Sequence, residues 1–280
     1  MGGEVTVHRI RLPEAGFDLE LDSRNWRALG ELAELLGRGA TVVRQTDGSY
    51  RMELLAGHRF DMTQSGFASA VMMLYERFVL EEYAWLQVLG RVVIDIGANI
   101  GDSAVYFARH GASHVYAYEP FPDLYEQARR NVDLNGCDGT VTLVNAGAGP
   151  RHEVVPAVFE AERAEGLSAL PRGDGSSRPG RSVAVRILPF AAILRQVVAK
   201  HPQQRLVGKI DCEGCEWSLL DGDDVHELLL RFDQIHVELH GDHPGRLIAR
   251  LQRAGLETEI RSNASGARQT PNHLLARRTD

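Results

Sequence analysis

From Arg91 onward, short apolar runs alternate with stretches in which apolar positions return every three or four residues. Runs of the first kind suit buried strands, and the spacing of the second suits helices packed on a sheet. Strands are predicted at 92–96, 114–118, 140–145, 205–210, 234–239, 256–261 and 273–277, with helices near 101–110, 122–134, 190–200, 215–221 and 244–254. This alternation predicts an α/β fold, a doubly wound sheet with helices on both faces, over residues 89–280. Residues 1–88 read differently. Val5, Val7 and Ile10 alternate, Arg24 to Leu36 is helical in spacing, and Asp47-Gly48 signals a hairpin, which together predict a small N-terminal α+β cap. Phe67, Val71, Leu74, Phe78 and Tyr83 form a stripe that packs the cap on the sheet, with Met72 and Met73 either in that core or on an acceptor pocket. An insertion spans 150–189. Its centre, Pro171 to Arg181, is rich in Gly, Ser, Pro and Arg, and its flanks 154–159 and 183–187 alternate as a hairpin would. It is either a lid over the site or a surface excursion.

Composition narrows the partners. The net charge of -7 over 280 residues disfavours general adhesion to nucleic acid or to an anionic membrane. A local basic stretch, Arg172, Arg178 and Arg181, is the one feature that suits phosphate. No apolar run approaches the roughly 20 residues of a membrane span and the first residues lack a signal-peptide core, so a cytoplasmic protein is expected. Three cysteines, Cys137, Cys212 and Cys215, do not make a secreted disulfide framework. Cys212 and Cys215 form a C-x-x-C, but the flanking Asp211, Glu213 and Glu216 would raise thiol pKa values and no zinc partner set accompanies them. Reduced, small buried cysteines are expected.

The candidate chemistry begins at Val92-Val93-Ile94-Asp95-Ile96-Gly97-Ala98-Asn99-Ile100-Gly101, a strand, a tight turn and the opening of a helix. The next strand ends in Glu119, where a carboxylate can accept hydrogen bonds from both hydroxyls of a ribose. The ligand is therefore an adenosine compound. Gly97 and Gly101 stand with three residues between them rather than in the G-x-G-x-x-G of dinucleotide sites, and Asp95 suits an ammonium group while repelling a pyrophosphate. S-adenosylmethionine fits better than NAD. Asp95, Gly97, Ala98, Asn99 and Gly101 are expected around its methionine end, with Ser103 as a water-mediated contact. Glu119 and Pro120 are expected at the ribose, and Asn145 with Ala146 along the adenine. Asp102 is either a further water-mediated contact or a first-turn acid favoured by the helix dipole.

Further on, Lys209-Ile210-Asp211-Cys212-Glu213-Gly214-Cys215-Glu216 completes an ordered set with Asp95 to Gly101, Tyr116-Ala117-Tyr118-Glu119-Pro120, Asn131 to Gly136, Leu143 to Gly149 and His236-Val237-Glu238-Leu239-His240. Over about residues 90–260 the chain resembles the FkbM family of class I S-adenosylmethionine-dependent methyltransferases. The resemblance implies a Rossmann-like, mostly parallel sheet with an antiparallel last strand, and methylation of hydroxyl oxygens on natural products or sugars. Leu188-Pro189-Phe190 stands where the family commonly has an acid opening a helix, though proline can start a helix itself. Pro150 departs from a polar or acidic residue, and the cap matches only weakly.

At the ends of the fourth and fifth main strands lie Asp211, Glu213, Glu216, Glu238 and His240, the candidate catalytic set. Removing a proton from a hydroxyl acceptor needs a base within hydrogen-bond reach. Three readings stay open: Glu238 or Asp211 as base with His240 as relay; Asp211, Glu238 and His240 around a magnesium-like ion that orients a diol; or Asp211 and Glu216 as caps and buried partners. His243 reads as a surface loop residue. A small-molecule or sugar acceptor is the leading partner, ahead of RNA or protein and of a cofactor-binding module without turnover. On this reading Asp95→Ala or Glu119→Ala abolishes S-adenosylmethionine binding in calorimetry, and unchanged affinity refutes the site.

Overall fold

The structure is a computed structural model that describes residues 7–12, 17–22, 26–159, 181–220, 223–240, 244–261 and 272–279. Val5, Arg24, Arg172, Arg178, His243 and most of the centre of the insertion lie outside the described residues. In chain order the N-terminal region carries β1 (Val7–Leu12), β2 (Phe17–Asp22), α1 (Trp26–Gly37), β3 (Thr41–Arg44), β4 (Tyr50–Glu53), β5 (Arg59–Met62) and α2 (Phe67–Phe78). Then follow β6 (Val92–Ile96), α3 (Asp102–Arg109), β7 (His114–Tyr118), α4 (Pro122–Leu134), β8 (Val141–Val144), β9 (Gly147–Gly149), β10 (Glu153–Phe159) and β11 (Arg181–Pro189). The chain continues through α5 (Phe190–Lys200), β12 (Leu206–Ile210), α6 (Glu216–Leu219), α7 (Asp223–Leu229), β13 (Phe232–Leu239), α8 (Gly245–Arg253), β14 (Leu256–Arg261) and β15 (Asn272–Arg278).

Seven strands form the main sheet in the order β14-β15-β13-β12-β6-β7-β8. Neighbours from β8 to β13 are parallel, and β15 runs antiparallel to both β13 and β14. The fold is thus the expected doubly wound, mostly parallel α/β sheet with an antiparallel last strand. Because the chain leaves β6 toward β7 and later returns to β12 on its other side, the crevice above β6 and β12 is the topological switch point where such sheets bind ligands.

The central strands β6 and β12 are buried along their whole length and mostly apolar because both sheet faces are covered. Val93, Val115, Ala117 and Val207 face a core shared with α1, α2, α3 and the strands β3 to β5. Ile94, Ile96, Ile210, Ile235 and Val237 face a second core built with α5, α7 and α8. The stripe on α2 behaves as its spacing requires: Phe67, Val71 and Leu74 are buried against the first core. Pro189 is the N-cap of α5 at φ -60, ψ 125, so proline opens that helix without an acid. The insertion flanks pair as an antiparallel hairpin, Glu153 opposite Ile187 through Phe159 opposite Arg181. The sequence reading missed β9 and α7. β9 is three residues bonded in parallel to the end of β11, and a glycine-rich segment that short has no periodicity to read.

One buried cation joins the two parts. Arg77, near the end of α2, is 5% exposed, contacts Glu82, reaches Asp102 on α3 at 3.2 Å and lies over the Tyr83 ring at 4.5 Å. Asp102 is therefore a buried partner of Arg77, which the sequence reading did not anticipate. Burial works against the Arg77 charge, but the groups around it, with Tyr83 and Asp102 foremost, raise its pKa, so the guanidinium stays charged. Removing it leaves buried carboxylates uncompensated. Arg77→Met is expected to lower unfolding free energy by about 3–5 kcal/mol in urea titration, and a loss under about 1 kcal/mol would show that the pairing contributes little.

Candidate active site

The turn after β6 is shaped by what crosses it. Gly97 has φ +83, and a Cβ there would sit 1.8 Å from the Asp211 carbonyl oxygen, so only glycine lets β12 pass. Gly101, at φ +85, caps α3 where a Cβ would meet Ala128 of α4 at 3.1 Å. Asn99 takes φ 48, and its N–H donates to Glu119 Oε2 at 2.9 Å, while the Phe121 N–H donates to Glu119 Oε1 at 2.9 Å. The two strand ends are thus bonded through the acid predicted to hold the ligand.

A cavity of about 400 Å³ opens over this switch point. Gly97, Asn99, Glu119 and Pro120 line it, as do Asp211, Glu213, Glu238 and His240. Other predicted residues do not. Asp95 is fully buried, accepts a hydrogen bond from Ser103 Oγ at 2.7 Å and sits 3.3 Å from Lys209 Nζ, so its charge is committed inside the fold. Ala98, Gly101 and Ser103 lie beneath the turn and Ala146 is buried, all away from the cavity wall. Asn145 donates to the Glu119 and Pro120 carbonyls at 2.9 and 3.2 Å, and Gly147, Ala148 and Ile187 stand on the wall instead.

Lys209 anchors the β12 end. Its ammonium, 2% exposed, donates to the Gly97 carbonyl and lies 3.3 Å from Asp95 and 3.6 Å from Asp211. Burial would lower its pKa, but the carboxylates of Asp95 and Asp211 outweigh that and raise it. Burial raises Asp95, and Lys209 offsets only part of this. Asp211 differs. Burial acts to raise it, but Lys209, His240, Arg77 and a hydrogen bond from Glu238 bring it below the usual carboxylate range.

Glu238 shares that proton and is pushed up to about 8, first by burial and then by the Asp211 charge. His240 Nε2 stands 3.9 Å from both Asp211 and Glu238 and 3.6 Å from Glu213. Burial works to lower the His240 pKa, yet its hydrogen bond to Glu216 and the charges of Glu213 and Asp211 lift it to about 9. At neutral pH the cluster therefore holds an ionised Asp211, a neutral Glu238 and a cationic His240. Glu216 plays another part. It is 1% exposed, off the cavity wall, and accepts hydrogen bonds from the Gly214 N–H at 2.8 Å and the His240 N–H at 2.9 Å, tying the β12 loop to the β13 end. Asp211, Glu238 and His240 also present atoms within 4.8 Å of one another, a spacing a cation could use.

Cys212 and Cys215 are joined by a disulfide, which corrects the expected reduced pair. The turn at Glu213 and Gly214, both at positive φ, brings their Cα atoms to 5.5 Å, inside bonding range. Cys137 is buried and free, as expected. The cap supplies Met72, Met73, Arg77 and Glu82 to the cavity, and β15 supplies His273. The methionines thus meet both readings, since Met73 is also in the core. Arg77, Glu82 and His273 carried no sequence signal, because their approach depends on how α2 and β15 dock.

Sheet order, the antiparallel last strand and the glycine turn beside an acid-bearing second strand define a class I S-adenosylmethionine-dependent methyltransferase fold. The Methyltransferase FkbM domain model matches residues 95–257, more than half of the chain, and the chain belongs to that family. Solved structures similar in part include an rRNA methylase from Streptococcus thermophilus, at 8% identity over 69% of this chain and 91% of that one, TM-score 0.41. Another is a precorrin-6y C5,15-methyltransferase from Geobacter metallireducens, at 16% identity over 72% and 87%, TM-score 0.40. Likenesses this distant bear on no acceptor. The donor set on the wall fits S-adenosylmethionine: a carboxylate at Glu119, the Gly97–Asn99 turn, and apolar surface from Pro120, Phe121, Ala148 and Ile187 for a flat ring.

Burial pushes Glu119 up to about 8, against the hydrogen bonds from Phe121 and Asn99. A raised carboxyl costs the empty fold stability as pH climbs from its unfolded value toward 8, because the unfolded chain ionises first. Ribose hydroxyls favour the carboxylate, so donor binding at pH 7 is expected to release about one proton. Calorimetry in buffers of different ionisation enthalpy reads this, and Glu119→Gln should remove it; equal proton release in the variant would place the titration elsewhere.

Proposed function

We propose that the protein transfers a methyl group from S-adenosylmethionine to a hydroxyl oxygen of a small molecule or sugar, with Glu238 as general base. The observation that carries this is the Glu238 carboxyl on the cavity wall, raised to about 8 beside Asp211. A base works best when its pKa lies near the working pH. When bound, S-adenosylmethionine supplies an electrophilic methyl on a sulfonium sulfur. Glu119 holds the ribose, the Gly97 and Asn99 backbone borders the methionine end, and Pro120, Phe121 and Ala148 flank the adenine. Glu238 removes the hydroxyl proton as the oxygen attacks. Asp211 makes Glu238 more basic, and the cationic His240 limits the charge that accumulates when Glu238 ionises. Glu213 helps keep His240 charged, and Glu216 is a positioning residue. Asp95, Lys209 and Ser103 keep the turn in shape from below.

Against RNA as acceptor stand the charge of -7 and the engagement of Arg181, from the basic stretch, with Asp123 at 2.5 Å. The spacing of Asp211, Glu238 and His240 favours one second reading, in which a divalent cation orients the acceptor. Methyl transfer from labelled donor into fractionated cell extract, with and without chelator, separates the two. With a hydroxyl acceptor, kcat is expected to rise through about pH 8 as Glu238 ionises. Glu238→Gln should lower kcat by about 10²–10⁴ and flatten that profile while donor affinity holds. A variant with unchanged kcat excludes Glu238 as base, and loss of turnover on chelation alone supports the cation.

A further inference from the structure

The register carries a row of polar groups across the sheet beneath the cap. Asp95, Lys209 and His236 are successive partners on β6, β12 and β13, and two residues nearer the crevice Glu238 is paired with His273 on β15. Direct cross-strand neighbours point to one face with Cβ atoms about 5 Å apart. His273 therefore stands beside Glu238 on the cavity wall, and is 5% exposed.

Two aromatic side chains, Trp85 and His236, set where its proton sits. Trp85 Nε1–H, which can only donate, lies 3.2 Å from His236 Nδ1, so that nitrogen accepts. Neutral His236 then carries its hydrogen on Nε2 and donates to His273 Nδ1 at 2.9 Å. His273 in turn carries its hydrogen on Nε2. Burial holds both rings neutral, His236 well below its usual range and His273 at about 4, with Arg77 adding to the second. Glu82 Oε1 lies 3.3 Å from the same Nδ1 and would favour the opposite tautomer, but that would turn two N–H groups against each other along the chain from Trp85. The segment bearing Trp85 is itself pinned to β13: Gln234 accepts from the Gln87 N–H at 2.6 Å and donates to the Trp85 carbonyl at 3.0 Å.

The far end of this relay, on a residue of the cavity wall, has no partner: His273 Nε2 is buried and without a hydrogen bond among the described residues. A buried donor without an acceptor is costly, and the cavity is where one can arrive.

We propose that His273 presents its Nε2–H to the methyl acceptor and reads a second oxygen close to the hydroxyl that is methylated, so that the acceptor belongs to the vicinal or 1,3-diol class. This rests on the hydroxyl-methylation reading. Glu238 takes the proton of one oxygen while His273, its direct cross-strand neighbour on the same cavity wall, donates to a second oxygen close by. Trp85 and His236 are positioning residues. An acceptor with a single hydroxyl leaves the donor unpaired and is disfavoured for that reason.

The test is nitrogen-15 NMR of the full chain with S-adenosylhomocysteine bound, titrated with catechol, phenol, methyl β-D-glucopyranoside and its monodeoxy derivatives. In the free protein His273 is expected as the Nε2–H tautomer, and Trp85→Phe should move the hydrogen to Nδ1, facing Glu82. A diol probe should shift the Nε2 resonance saturably, with affinity about tenfold better than its single-hydroxyl counterpart. His273→Phe should erase that preference, and His273→Gln, whose amide can stand in for Nε2–H, should restore part of it. An Nδ1–H tautomer in the free protein, no saturable shift with any probe, or a preference unchanged in His273→Phe each overturns the proposal. Turnover is read separately. A probe that shifts His273 but gains no methyl group counts against hydroxyl methylation and not against the donor, whereas a methylated probe without the shift does the reverse.

Discussion

The ammonium of Lys209 is the constraint on which the crevice depends. It lies inside the sheet, where an unpaired charge would be prohibitively costly, and three acceptors from two strands converge on it: Asp95, Asp211 and the Gly97 carbonyl. Each contact fixes something a ligand would meet. The bond to Gly97 holds the turn down over β12, and the pairing with Asp95 occupies the acid that the sequence alone suggests for the methionine ammonium. The proximity to Asp211 keeps one member of a carboxyl pair ionised, and that charge adds to the burial that already pushes its partner Glu238 upward. Turn geometry and strand-end electrostatics thus share one cause.

The same charge explains why so many acids can crowd one strand end. Asp211, Glu213, Glu216 and Glu238 would repel each other if all were ionised and alone. Lys209 from below and His240 from the side supply two positive charges, Glu238 keeps its proton, and Glu216 is satisfied by the Gly214 and His240 N–H groups. What is left is a single carboxyl poised to change state near neutral pH. That poise is a property of the set, and no one residue carries it.

The architecture was legible because the evidence for it is local. Runs such as Val92 to Ile96 and Leu206 to Ile210 announce buried parallel strands, and Pro122 and Pro189 mark helix starts. The glycines at 97 and 101 were readable for the same reason, since a turn's demands fall on the residues that make it. The misreadings came from groups whose roles depend on a distant partner. Asp95 looks available until Lys209, far along the chain, is placed against it. Asp102 looks like a helix-dipole acid until Arg77 of the cap arrives. Cys212 and Cys215 looked like separate thiols because the positive-φ turn between them is not written in residue type at Glu213.

His273 is the extreme case. In sequence it is one polar residue in a short strand after a run of small and polar residues, and nothing near it hints at chemistry. Its place follows from the antiparallel register of β15, which sets it beside Glu238, and from Trp85, whose indole fixes the tautomer two rings away. Trp85 belongs to the link between α2 and β6, so the same segment that carries the Arg77 partner Glu82 also orients a donor in the cavity. The cap side of the sheet is therefore more than a cover over apolar strands. It furnishes Met72, Met73, Arg77 and Glu82 to the cavity wall, and through Arg77 its charge reaches Asp211 and Glu238 at the strand ends.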